Sequence, residues 1–153
     1  MALYLVQHGQ SLSKETDPDP GLTEAGAAEV SRIAETAKGY AVGVSAILHS
    51  GKRRARETAE IFARHLSPPE GVHEKRGLKP MDDVTAMGGL AASRPGLMLV
   101  GHLPFMERLT GWLTAGNPDL TVFRFQNGGI VCLERRPESD LWSIVWSLSP
   151  RIK

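Results

Sequence analysis

Three short apolar runs in this chain each stop at a glycine that adjoins a histidine or a serine. The runs are LYLVQHG at residues 3–9, ILHSG at 47–51 and LMLVGH at 97–102. Continuous apolar runs of this length are typical of buried parallel strands. In an open α/β sheet, ligands bind beyond the carboxyl ends of such strands. The three runs therefore predict one pocket that holds His8, His102 and the basic segment that follows residue 51.

The length and charge of the chain exclude some classes of protein. The chain has 153 residues, which suits one domain, and we expect residues 1–153 to form it. The formal net charge is +1, because carboxylates elsewhere offset the basic cluster at residues 52–56. A broad surface for nucleic acid is therefore not expected.

Cysteine use and the N-terminal sequence indicate the compartment. The one cysteine, Cys132, lies in an apolar run, where it cannot form an internal disulfide and is expected to be a buried core thiol. The first residues carry no basic region, and no apolar stretch reaches a membrane-spanning length. We expect a cytoplasmic monomer with no membrane partner.

Predicted strands and helices alternate along most of the chain. Thr23 is a candidate N-cap for a helix that ends near residue 38, and Pro104 suits the first position of a helix that ends near residue 114. Further helices are predicted at 52–66 and, more weakly, at 82–93, and strands at 44–49 and 97–100. Residues 129–134 and 141–146 are typical of an antiparallel hairpin. This order predicts an α/β fold.

Each motif at a strand end has a chemical use. Gly9 lets a ligand approach closely, so the His8 ring can point outward. The segment 50–58 opens a helix, where free N–H groups, the helix dipole and the Arg54 guanidinium all favour an anion. His102 adds a second imidazole. Neither carboxylates nor cysteines occur with metal-ligand spacing, so we expect no metal and no cofactor.

Together these motifs resemble those of the histidine phosphatase (phosphoglycerate-mutase-like) superfamily. Its signatures are Arg-His-Gly after the first strand, Ser-x-x-x-Arg-x-x-x-Thr at a helix start and a late Gly-His or Ser-His. Here they stand as QHG at 7–9, the segment from Ser50 through Arg54 to Thr58, and GH at 101–102. The GLTEAG segment at 21–26 and VGHLP at 100–104 are most similar to the short SixA-type phosphohistidine phosphatases.

The resemblance implies a three-layer α/β/α sandwich around a mostly parallel central sheet with an antiparallel C-terminal hairpin. It also implies a metal-independent phosphatase in which His8 accepts the phosphoryl group, and Arg54 and His102 bind its oxygens. We expect one His8 nitrogen to be unprotonated and the other to donate to a backbone carbonyl. The expected phosphate-binding residues are Gln7, Gly9, Ser50, Arg54 and His102.

The chain departs from the family signature at Gln7, which replaces the arginine before the histidine. Glutamine lacks the charge and the planar fork that bind two phosphate oxygens. By analogy with the removal of an oxyanion-hole donor, the loss of this arginine is expected to lower the rate roughly a hundredfold to a thousandfold. Lys14, Lys52 and Arg53 are candidates to compensate for the missing charge.

A second departure concerns the proton donor for the leaving group. Larger members of the superfamily place a carboxylate where this chain has Gly77, and only Asp82 and Asp83 lie close to that position. A protonated phosphoramidate releases a neutral imidazole without such an acid. The substrate expected from this pattern is a protein phosphohistidine. Two alternatives stay open: a small phosphoester, and an impaired module that binds a phosphorylated partner without turnover.

Overall fold

The structure, a computed structural model, describes residues 2–152 and is built on a six-stranded sheet. The strand order is β3-β2-β4-β1-β5-β6. The strands are β1 (Ala2–Gln7), β2 (Ala46–His49), β3 (Val72–Glu74), β4 (Leu97–Gly101), β5 (Ile130–Arg135) and β6 (Trp142–Leu148).

Helices cover both faces of this sheet. They are α1 (Glu24–Gly39), α2 (Arg53–Leu66), α3 (Thr85–Ser93) and α4 (Phe105–Ala115). Buried side chains of α1 and α2 form a core on one face, and those of α3 and α4 form a core on the other. The expected three-layer α/β/α sandwich is confirmed.

Strand β1 shows how one segment supplies both cores. Leu3 and Leu5 pack into the core under α3 and α4, whereas Tyr4 and Val6 pack into the core under α1 and α2. Successive side chains of a strand point to opposite faces, so an uninterrupted apolar run is what a doubly covered strand requires.

Parallel pairing brings the predicted site residues to one edge of the sheet. Strand β4 lies between β1 and β2 and is parallel to both, with Gln7 opposite Gly101 and His49 opposite Val100. The residues that follow these strands, His8, Ser50 and His102, therefore leave the sheet at neighbouring points. The C-terminal strands β5 and β6 run antiparallel, as expected for the hairpin.

The helix boundaries agree with the capping signals, with small differences. The Thr23 side chain accepts a hydrogen bond from Gly26 N and so caps α1. Helix α3 begins at Thr85 rather than near residue 82, because the Asp83 side chain accepts from the Thr85 amide and hydroxyl and holds a turn before the helix. Pro104 stands at the N-cap of α4 rather than at its first helical position.

The sequence did not indicate β3. This strand has three residues and exposes His73 and Glu74, so it carries no apolar pattern. Its pairing with β2 makes it a strand. No helix among the described residues is long and apolar enough to cross a membrane.

Candidate functional site

The structure brings the main predicted site residues together at the carboxyl ends of β1, β2 and β4. The ring centroids of His8 and His102 are 5.1 Å apart. Arg54, in the first turn of α2, places its Nε 3.3 Å from His8 Nε2. Ser50 Oγ lies 2.6 Å from His102 Nε2. These four residues are called the histidine cluster below.

Two contacts determine which nitrogen of His8 carries the proton. His8 Nδ1 lies 2.7 Å from the carbonyl oxygen of Gly9, which can only accept, so Nδ1 must donate. Arg54 Nε donates to His8 Nε2, which must therefore hold a lone pair. The expected tautomer follows from this geometry. Nε2 is an unprotonated nitrogen that faces a guanidinium.

Burial keeps both imidazoles neutral. It is the main cause that lowers the pKa of His8 to about 4, with the Arg54 and Lys14 charges acting in the same direction and the hydrogen bond to Gly9 opposing them. The pKa of His102 falls to about 3, again chiefly through burial and further through His8, Arg54, Lys52 and Lys14. Both rings are therefore uncharged at neutral pH.

Arg54 is the buried cation of the site. Arg54 is only 6% exposed, and this burial lowers the pKa of its guanidinium. An arginine nevertheless keeps its charge in proteins. None of the ion pairs found among residues 2–152 includes Arg54. A buried cation with no acidic partner favours an external anion. The neighbouring Arg53 is exposed and pairs with Glu57 and Asp17.

Thr58 connects the first two motifs. Its hydroxyl accepts from the Gly9 amide at 2.9 Å and donates to the Arg54 carbonyl at 2.8 Å. The loop after β1 is thereby tied to the first turn of α2. Gly9 has no room for a side chain, because a Cβ there would lie 2.7 Å from Val30 Cγ2. The four-residue spacing between Arg54 and Thr58 places the Thr58 hydroxyl within reach of the Arg54 carbonyl.

Asn127 is a site residue that sequence reasoning missed. Its side-chain Nδ2 donates to the His8 carbonyl at 3.0 Å, and the next residue, Gly128, donates its amide to the Gln7 carbonyl at 2.8 Å. The loop before β5 therefore fixes the backbone of residues 7 and 8. The only signal in the sequence is an Asn-Gly dipeptide, which indicates a turn and no chemistry.

Gln7 is adjacent to His8 in the chain but lines a separate cavity. The residue is 9% exposed, and its Oε1 is buried without a hydrogen-bond partner among the described residues. The cavity has a volume of about 270 Å³ and is called the amide cavity below. Its other lining residues are Gln10, Glu29, Leu103, Phe125, Gln126, Asn127, Pro150 and Arg151.

The candidate compensating cations separate into two groups. Lys14 and Lys52 contribute to the lowered pKa of His102, and Lys14 also to that of His8, so their charges act at the histidine cluster. Arg53 has no such effect and is held by two carboxylates. The Lys52 amide also contacts Ser50 Oγ at 3.3 Å.

The carboxylates near Gly77 accept hydrogen bonds from neighbouring residues. Asp82 accepts from the Lys79 amide at 2.9 Å. Asp83 accepts from the amide and the hydroxyl of Thr85, and these bonds lower the pKa of its carboxyl, so it stays ionised. Neither geometry is that of a free proton donor. Among residues 2–152 no group of three or more His, Cys, Asp or Glu side chains could hold a metal ion.

Comparison with known proteins identifies the class. The family model of the histidine phosphatase superfamily (branch 1) matches residues 3–88, and the chain belongs to this superfamily. No curated protein sequence matches the chain significantly.

Solved structures extend the likeness to nearly the whole chain. The protein histidine phosphatase SixA complexed with tungstate has 25% identity and a TM-score of 0.85, with 98% of this chain and 97% of that chain covered. A SixA protein from Agrobacterium tumefaciens has 26% identity and a TM-score of 0.77, with 97% of each chain covered. A phosphoserine phosphatase from Entamoeba histolytica in complex with phosphoserine, with 17% identity, a TM-score of 0.75 and 98% of each chain covered, shares the fold.

Proposed function

We propose that this protein is a metal-independent phosphatase in which His8 Nε2 attacks phosphorus, and that its substrate is a phosphohistidine on another protein. The observation that carries the proposal is the state of His8. Its Nδ1 is bonded to the Gly9 carbonyl, its pKa is about 4, and its bare Nε2 faces the unpaired charge of Arg54. A positioned neutral imidazole beside a fixed cation suits phosphoryl transfer.

The two steps balance without a metal. In the first, a bond forms between His8 Nε2 and phosphorus while the bond to the leaving nitrogen breaks, and the leaving imidazole departs neutral. In the second, water attacks phosphorus, His8 Nε2 recovers its lone pair, and inorganic phosphate is released. The Arg54 guanidinium exchanges its contact with His8 for contacts to the phosphoryl oxygens, whose charge it stabilises.

His102 has a complementary role in this proposal. Its low pKa results from burial and from nearby positive charges. A phosphoryl dianion in the site opposes those charges and raises the pKa, so that the ring can donate a hydrogen bond to an oxygen. Because Nδ1 is buried, the donating nitrogen in this proposal is Nε2, which exchanges its 2.6 Å contact with Ser50 Oγ for the phosphoryl oxygen.

The positions of the acids support a nitrogen-linked substrate. Asp82 accepts from the Lys79 amide and Asp83 from the Thr85 amide, so both carboxylates are engaged by nearby backbone. An ester needs a proton for its leaving alkoxide, whereas a protonated phosphoramidate does not. The SixA structure with tungstate shows that a related protein accepts a phosphate-like oxyanion. We further propose that Lys14 and Lys52, rather than Arg53, supply part of the charge that Gln7 lacks.

The proposal is tested by turnover of a phosphohistidine-bearing protein and of an aryl phosphate, with His8→Ala as the blank. We expect faster turnover of the phosphohistidine, no loss of activity in EDTA, and acid-labile, base-stable phosphate trapped on His8. Label on Ser50, or activity that EDTA removes and magnesium restores, would contradict the mechanism.

Gln7 favours a second candidate function, a module that binds a phosphorylated partner without turnover. Its side chain is neutral and lines the amide cavity. In that case inorganic phosphate binds at Arg54, but no substrate is turned over and no phosphate is trapped on His8. A third candidate, a small phosphoester hydrolase, is distinguished by faster turnover of the aryl phosphate than of the phosphohistidine.

A further inference from the structure

We propose that Asn127 is a positioning residue for the nucleophile. It holds the peptide between His8 and Gly9 in the orientation that keeps the Gly9 carbonyl on His8 Nδ1 and leaves the Nε2 lone pair for attack. The inference rests on the proposed function for the attack on phosphorus. The hold on the tautomer is a separate property of the folded chain, because it requires no turnover.

The peptide between His8 and Gly9 is held from both sides. Asn127 Nδ2 donates to the His8 carbonyl at 3.0 Å, and the Gly9 amide donates to Thr58 Oγ1 at 2.9 Å. A trans peptide is planar, and its carbonyl and its amide point in opposite directions. The two side chains therefore fix the plane of this peptide between the loop before β5 and helix α2.

This plane matters because the tautomer of His8 depends on the next carbonyl. His8 Nδ1 lies 2.7 Å from the Gly9 carbonyl oxygen, and a bond between such close neighbours forms only over a narrow range of backbone angles. Glycine is conformationally permissive, so Gly9 does not fix those angles itself. They are fixed by the held peptide before Gly9 and by the Gln10 carbonyl after it, which accepts from the Thr23 amide at 3.0 Å.

Asn127 can hold this peptide because its own loop is anchored. The Gly128 amide donates to the Gln7 carbonyl at 2.8 Å. The Gln126 side-chain amide bonds at both ends to the backbone of Arg151, at 2.9 and 3.1 Å. Gly128 has a φ of +78°, a backbone conformation that favours glycine. The Asn-Gly dipeptide thus forms a rigid turn that presents the Asn127 amide to His8.

The hold of Asn127 is confined to the nucleophile. Within the described part of the chain, its side chain bonds to neither Arg54 nor His102, which are placed by α2 and by the end of β4. Loss of Asn127 therefore leaves the groups that bind phosphoryl oxygens in place. It releases the His8 backbone, so that the Nδ1 proton loses a constant acceptor and part of it moves to Nε2. A ring protonated at Nε2 has no lone pair there for attack.

The first arm of the experiment separates the chemical step from binding. Asn127→Leu keeps the approximate size of the side chain and removes the donor. We expect kcat with a phosphohistidine protein to fall about tenfold to a hundredfold, because the nucleophile is misplaced. The affinity for inorganic phosphate, measured by calorimetry, should be unchanged. Asn117→Leu, at the exposed residue after α4, is the matched control and should keep the normal kcat.

The second arm reads the tautomer by NMR of the full chain with ¹⁵N-labelled histidine at neutral pH, where His8→Asn identifies the His8 signals. The wild type should carry the proton on Nδ1, and Asn127→Leu should carry part of it on Nε2. Thr58→Val releases the same peptide from its other side and should act in the same direction. The double variant should lose less kcat than the product of the two single losses, because both side chains hold one peptide.

Four results would overturn the proposal: a wild-type proton on Nε2, an unchanged His8 tautomer in Asn127→Leu, an unchanged kcat in that variant, or a loss confined to phosphate affinity. If Asn127→Leu does not fold, Thr58→Val carries the same expectations, and the wild-type tautomer is decisive without any variant. If the tautomer moves but the wild type turns over no substrate, the positioning role stands and the proposed phosphatase activity fails.

Discussion

Two adjacent residues, Gln7 and His8, belong to regions of opposite character. On the His8 side, both ring nitrogens of His8 have partners, the charge of Arg54 is buried, and Thr58 ties the loop to α2. Among residues 2–152, His102 Nδ1 is the buried nitrogen of this region that has no hydrogen-bond partner. On the Gln7 side, the residue lines a cavity with other amide side chains, and its own Oε1 is buried without a partner among residues 2–152. A preorganised region with a buried cation suits chemistry on an anion, whereas the neutral Gln7 side chain adds no charge to it.

The largest effect should come from removing the nucleophile. His8→Asn is expected to lower turnover by roughly ten-thousandfold or more, because His8 Nε2 is the nitrogen that Arg54 holds in place for attack. The measurement is kcat with a phosphohistidine protein. The matched control is His65→Asn, in α2 and outside the cluster, which should retain normal turnover. Substantial residual activity in His8→Asn would place the chemistry elsewhere.

Replacing Arg54 should have the second largest effect on turnover. Arg54→Met removes the buried cation and is expected to lower kcat by about a hundredfold to a thousandfold, since it removes a preorganised charge from the transition state. Arg53→Met is the matched control, because this neighbouring arginine is exposed and paired with Glu57. A similar loss in both variants would mean that general positive charge, rather than the buried guanidinium, matters.

The neutral histidines predict a stability that depends on pH. Their folded pKa values, about 4 for His8 and about 3 for His102, lie below the ordinary 6.5. The unfolded chain therefore binds protons first, and stability is lost as pH falls from about 6.5 toward the folded values. Between pH 7 and pH 4.5, each histidine should lower the free energy of unfolding by about 2–3 kcal/mol.

Urea unfolding at pH 7 and pH 4.5 measures this loss. His102→Asn should reduce the difference in unfolding free energy between the two pH values, and His65→Asn should not. If the wild type and His102→Asn lose the same stability on acidification, the buried imidazole of His102 is not the cause, and the contrast between the two regions weakens.

The smallest expected effect comes from a substitution at Gln7, which lies where the two regions meet. Gln7→Arg should raise kcat about tenfold, because the guanidinium adds a bidentate donor next to His8, while Lys14 and Lys52 already supply part of the charge. The amide cavity provides room for the longer side chain. Unchanged or lower turnover in a folded variant would favour the binding module.

The amino-acid sequence determined the parts of the site that depend on local pattern. Apolar runs that end in glycine located the three strand ends, and Thr23 located the start of α1. The spacing from Ser50 through Arg54 to Thr58 located the cation at a helix start. These features were predictable because strand burial, helix capping and turn formation depend on residues close together in the chain.

The tertiary structure decided the rest, because the deciding contacts join distant segments. Strand β3 forms only because β2 offers it a partner, and Asn127 reaches His8 across 119 positions of the chain. The tautomer of His8 depends on the direction of one carbonyl and one guanidinium. That Gln7 opens onto a cavity also depends on loops before β5 and after β6. A hydrogen bond or a cavity wall between remote residues leaves no periodicity in the sequence, so only the folded chain shows it.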